Sequence, residues 1–137
     1  MKFENNWRQK TLENLERDNW GNPPTDQSHL VVRTMELRRV PLDQFTTEDL
    51  RIMIGQEFGL FYLLPLAFEK LRKDLFAEGE FYPGDLLNMA LKIKHSFWTQ
   101  HQDYWKQLDE MIKDRVGELK DYKPSLSLDN FYLTTYS

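Results

Sequence analysis

The sequence predicts an all-α protein: a single compact domain of five to six helices with short loops and an extended C-terminal tail. Three observations carry this reading. Apolar residues recur three and four apart over long segments, most clearly at Tyr104, Trp105, Leu108, Met111, Ile112, Val116 and Leu119. Gly and Pro punctuate the chain between such segments, at residues 21–24, at Pro41, Gly59, Pro83 and Pro124. No segment before residue 124 carries a convincing strand pattern. With 137 residues, 40% of them hydrophobic, the chain has the apolar content for a real core. The boundaries follow as a helical domain over residues 1–123 and a tail over 124–137.

Taken in order, Phe3, Trp7, Leu12 and Leu15 lie near helical spacing behind the N-cap candidates Asn5 and Asn6. Residues 21–24, GNPP, stop that helix. Ser28 caps a second helix through Arg39, with Leu30, Val31, Thr34, Met35 and Leu37 on its apolar stripe. The pair Val31-Val32 would also suit a strand. Pro41 ends this element. Thr46 and Thr47 precede Glu48-Asp49, a cap with two carboxylates at the positive end of a third helix. Its apolar positions are Leu50, Met53, Ile54 and Phe58, and Gly59 is its stop.

The most apolar run, LFYLLPLAFEKL over residues 60–71, predicts the central buried helix. Pro65 belongs in a first turn, which starts this helix at residues 62–64, and its end falls near Phe76. Residues 77–85, AEGEFYPGD, form a loop and the next helix start, with Pro83 at the first helical position and Asp85 in the first turn. Leu86, Leu87, Ala90 and Leu91 continue one face. The last long helix spans residues 102–120. Beyond Pro124, SLSLDNFYLTTYS alternates apolar and polar residues like a strand or an extended arm.

Charge adds a functional constraint. Net charge is −4, and its distribution is uneven. Residues 41–90 hold four basic and nine acidic side chains, whereas the flanking thirds are near balance. A nucleic-acid binder concentrates Lys and Arg instead, so a basic partner fits and direct nucleic-acid binding does not. There is no cysteine, which excludes disulfides, thiolate zinc sites and Cys nucleophiles. The N-terminus, MKFENNWRQK, is polar where a signal peptide has its apolar core. No stretch approaches the ~18 apolar residues of a membrane span. An intracellular protein is expected.

Catalytic patterns are missing. His29, His95 and His101 fit no HExxH spacing, and neither a glycine-rich phosphate loop nor a GxSxG elbow occurs. Glu57, Glu78, Glu80 and Asp85 are carboxylates that tertiary structure would have to gather before they could do chemistry. Asp85 is also accounted for by its helix start. The reading is therefore a protein without catalytic activity, cofactor or metal. Binding is the better use of these residues. Residues 74–85 carry Asp74, Glu78, Glu80 and Asp85 without one basic residue, and Phe81 and Tyr82 add apolar area beside the charges. Trp98 and Tyr104 flank the polar turn TQHQD as an expected exposed pair, and with Glu57 they form a second candidate set. The other tryptophans are assigned to the core or its edge.

Several strings together resemble a family. They are LEN-LE followed by WG-PP over residues 12–24, LR-VPL over 37–42, TTEDLRIMIGQEFGL over 46–60, LLPLAFEKL over 63–71, AEGEFYPGDLL over 77–87, and Phe97-Trp98. In this order and spacing they resemble the immunity proteins of bacterial contact-dependent growth inhibition (CDI) systems over residues 11–100. The resemblance implies a small cytoplasmic protein, monomeric or weakly dimeric when free, that binds and neutralises the C-terminal toxin domain of a delivered effector. Such toxins are commonly nucleases. The charge and aromatic pattern then offers Glu57, Asp74, Glu78, Glu80, Phe81, Tyr82, Asp85, Trp98 and Tyr104 as the toxin-binding candidates. The alternatives are a non-catalytic helical adaptor or regulatory protein with another basic partner, and an enzyme built on clustered carboxylates.

Overall fold

Side chains that accept free N-terminal amides fix several helix starts. In the computed structural model, which describes residues 3–23 and 25–133, Thr11 caps α1 (Leu12–Glu16) and Ser28 caps α2 (His29–Leu37). At α3 (Thr47–Gly55), Thr46 and Asp49 form a reciprocal capping box: each side chain accepts the other's amide, at 3.1 and 3.0 Å. The remaining helices are α4 (Leu60–Lys73), α5 (Asp85–Leu91), α6 (His95–Gln100), α7 (Gln102–Ile112), α8 (Val116–Lys120) and α9 (Leu128–Leu133). Single 3₁₀ turns precede α1, α3 and α8. No strand occurs among the described residues, so the all-α expectation holds.

The apolar run predicted to lie at the centre does so. Leu63, Leu64, Ala67 and Phe68 of α4 are fully buried. Helix α3 packs against α4 and α5, and α7 packs on α4 from another side. Arg38 is buried as well. It pairs with Glu16, donates to the Asp18 carbonyl at 2.7 Å, and lies 4.2 Å from the Trp20 ring. This holds residues 16–20 onto the helical core.

Five local expectations are corrected. The first predicted helix is split, because Asn6 takes a left-handed conformation (φ 59°) and Lys10 is extended. Phe3 instead stacks on Trp7 and on Phe61 and meets Tyr62 edge-on, and Trp7 contacts Tyr62 at a tilt. Helix α4 starts at Leu60, because Gly59 is its N-cap at φ 64° rather than the stop of α3. Pro65 therefore lies inside α4 and cannot donate to the Phe61 carbonyl. The Tyr104 hydroxyl donates to that carbonyl from α7 at 2.7 Å, which repairs the ladder. Helix α4 ends at Lys73, short of Phe76, where Asp74 turns extended and its carboxylate accepts the Phe76 amide at 3.0 Å. Helix α5 begins at Asp85, with Gly84 rather than Pro83 at its edge. The last long helix breaks at Lys113–Arg115, just before Gly117, a weak helix former.

The tail is the largest correction over residues 124–133; its last four residues, 134–137, lie outside the described residues. Residues 128–133 form α9, and Leu128 and Phe131 are buried. The Phe131 ring stacks on Trp105 at 5.0 Å and meets the edge of Trp98 at 5.5 Å. Asn130 donates to the Leu91 carbonyl at 2.7 Å, and the Ser127 amide donates to Asn88 at 2.8 Å.

Candidate functional site

The acidic segment between α4 and α5 is built around one carboxylate. Asp85 is only 1% exposed. Its Oδ1 accepts the Gly79 amide at 2.7 Å, and its Oδ2 accepts the Phe81 amide at 3.1 Å and the Tyr82 amide at 3.4 Å. Glu48 of α3 accepts the Glu80 amide at 2.8 Å. The loop is thus held by its backbone, from two helices. Gly79 is required there, since a Cβ at this position would run into the Glu48 carboxylate. At the far end, the Gly84 amide donates to the Phe76 carbonyl at 3.0 Å, and the Tyr122 hydroxyl donates to the Pro83 carbonyl.

Arg51 joins the two carboxylates. It donates to both oxygens of Glu48, at 2.7 and 2.5 Å, and lies 3.9 Å from Asp85. This bidentate pair holds the Glu48 carboxyl below its usual range and raises the Arg51 guanidinium. The same guanidinium sits 4.3 Å from the centre of the Phe81 ring. Phe81 is nevertheless 67% exposed. An aromatic ring is therefore displayed to solvent on a loop that its own backbone makes rigid.

The structure sorts the sequence-predicted residues. Glu78, Glu80 and Phe81 are exposed together on this loop, and Asp74 is exposed at its start. Tyr82 is half-buried, and its hydroxyl accepts from Asn88 at 2.8 Å. Asp85 faces inward and holds the loop. Glu57 is apart from this group, in a left-handed turn (φ 60°) 3.8 Å from Lys94. Trp98 is not exposed: it is fully buried, because residues 95–100 form a helix that turns its indole against Phe131. Tyr104 is half-buried, and burial pushes its phenol up to about 12. The expected Trp98–Tyr104 surface pair therefore does not form.

Two features went unseen in the sequence. A groove runs between α2 and the loop, with Leu30, Arg33, Arg51, Ile52, Glu80 and Phe81 among its lining residues. Leu30 is 42% exposed there. Its position on the apolar stripe of α2 concealed this, since the stripe is wider than the buried face. Elsewhere, Phe3, Phe61, Phe97, His101 and Tyr104 form a half-buried aromatic face, with Phe97 and His101 stacked at 4.4 Å.

Among the described residues, no group of three or more His, Asp or Glu is arranged to hold a metal ion, and no helix is long and apolar enough to cross a membrane. Among curated proteins, none matches the chain. The profile of the CDI immunity proteins matches residues 14–108. That match runs from α1 into α7 and takes in α2, α3, the acidic loop and the Asp85 anchor. It covers more than half of the chain, which belongs to the CDI immunity protein family.

Proposed function

We propose that this chain binds the C-terminal toxin domain of a CDI effector in the cytoplasm and neutralises it without turnover, and that the toxin is a nuclease. One observation carries the reading: Phe81 stands exposed next to Glu80 on the loop that also exposes Glu78, and neither carboxylate forms an ion pair among the described residues. An aromatic side chain with free carboxylates beside it, on a pre-ordered loop, suits a protein partner. A nuclease holds a polyanion, so its working face is basic and complements this loop. Family membership supports the toxin as that partner. Asp74 lies at the edge of the proposed face. Asp85 supports it from inside, whereas Trp98 packs on Phe131.

The test is growth rescue by the chain in cells that express the toxin domain, alongside binding of the purified pair. Glu78→Lys with Glu80→Lys should weaken binding and protection while helical content and melting temperature stay near the parent's. Phe81→Ala should cost more than ~1 kcal/mol of binding. It is a cleaner probe than Tyr82, whose hydroxyl is tied to Asn88 in the fold. Parent-like binding by the double charge reversal would overturn the acidic-loop reading.

A further inference from the structure

We infer that the groove between α2 and the 79–84 loop receives an apolar side chain of the toxin flanked by a Lys or Arg. This rests on the toxin-binding reading above and specifies where and how the toxin seats. The charge balance of the groove identifies the occupant. Its two cations are already matched: Arg33 pairs with Asp49 at 3.0 Å, and Arg51 pairs with both oxygens of Glu48. Glu80 lines the same groove and makes no ion pair among the described residues; it acts on Arg51 only at longer range, behind that cation's direct partner Glu48. The unmatched charge is thus one carboxylate, which calls for a basic group on the partner.

The rest of the groove calls for an apolar one. Leu30 is 42% exposed and Phe81 67% exposed, and Ile52 and Met89 line the groove with them. One face of the Phe81 ring is already occupied by the Arg51 guanidinium. A second cation on the opposite face would compete for the same ring electrons, so that face suits an apolar group and Glu80 takes the cation. Two exposed apolar residues brought together from distant parts of the chain, with matched charges beneath, form a seat that needs little reorganisation.

The experiment uses the full chain and the toxin domain encoded beside it, in a catalytically inactive form. Leu30→Ala should bind this domain about fivefold more weakly or worse, the ~1 kcal/mol of a genuine contact residue. Leu133→Ala, altering a still more exposed leucine on α9, should bind like the parent. A photo-cross-linker at position 30 should capture the toxin domain, and one at position 133 should not. Parent-like affinity for Leu30→Ala, with the parent itself binding, overturns the groove and leaves the toxin-binding reading standing. If the parent does not bind the domain, both readings fall. Should Leu30→Ala lose helical content, cross-linking from position 30 decides instead: no capture overturns the groove.

Discussion

Replacing Asp85 tests whether the acidic loop is held by its backbone. Asp85→Ala removes the acceptor of the Gly79 and Phe81 amides, at 2.7 and 3.1 Å, and of the longer Tyr82 contact. It also takes a carboxylate from beside Arg51. Hydrogen bonds to a charged group contribute ~1.5–3 kcal/mol each. Two well-formed bonds therefore set the loss at ~3–6 kcal/mol, a large share of the ~5–15 kcal/mol that holds a domain together. At ~2.1 cal/mol/K per residue, 137 residues unfold with an entropy of ~0.3 kcal/mol/K, so melting should fall by about 10–20 °C. Asp85→Asn should be nearly as damaging, because its amide group turns a donor toward donors. The assay is thermal unfolding followed by far-ultraviolet circular dichroism, with Glu78→Gln as the exposed control that leaves melting unchanged. If both Asp85 variants melt within about 2 °C of the parent, the loop is not held in this way.

Other consequences are more direct. Leu71→Asp should abolish folding, since it places an unpaired charge in the core at a cost of several kcal/mol or more; soluble, native-like protein would show that α4 is not central. Tyr104→Phe should cost ~1–2 kcal/mol by stranding the Phe61 carbonyl beside Pro65, measured by denaturant unfolding. The phenol titrates near 10 when unfolded and near 12 when folded, so the unfolded chain releases its proton first and stability falls as pH rises from about 10 to 12. The Phe variant should lack that share of the alkaline slope. Toxin association should slow as salt rises, because the Debye length is only ~8 Å at physiological ionic strength; a rate that stays flat in stopped-flow measurements would argue against electrostatic capture.

Features set by near neighbours were legible in the sequence. The threonine cap ahead of Glu48-Asp49 and the apolar core of α4 depend on residues within one or two helical turns, and both appear, the cap as a Thr46–Asp49 box. Features set at a distance were not. Pro65 argued for a late helix start, because its repair comes from Tyr104 on another helix. The alternation in residues 125–137 suggested an extended arm, but Phe131 fills the space between Trp98 and Trp105, and packing overrides local pattern. Trp98 was misplaced for the same reason. On the candidate face, the charges and aromatics of residues 78–82 were visible as composition. Leu30 was not, since only the fold brings α2 beside Phe81. The inward turn of Asp85 was half legible: its helix-start position was read, its three amide partners were not.

The way the loop is fastened bears on how such a protein changes over generations. Glu48 and Asp85 grip main-chain amides at positions 79 to 82, groups that every residue except proline carries. The side chains at 78 and 80 are therefore uncommitted to the fold and that at 81 touches it only through Arg51, while Gly79 and the two gripping carboxylates are not free to vary. Rewriting those three positions leaves the scaffold standing and alters the chemistry presented. Recognition can thus diverge toward a new toxin by a few substitutions on an unchanged frame, without passing through an unfolded ancestor.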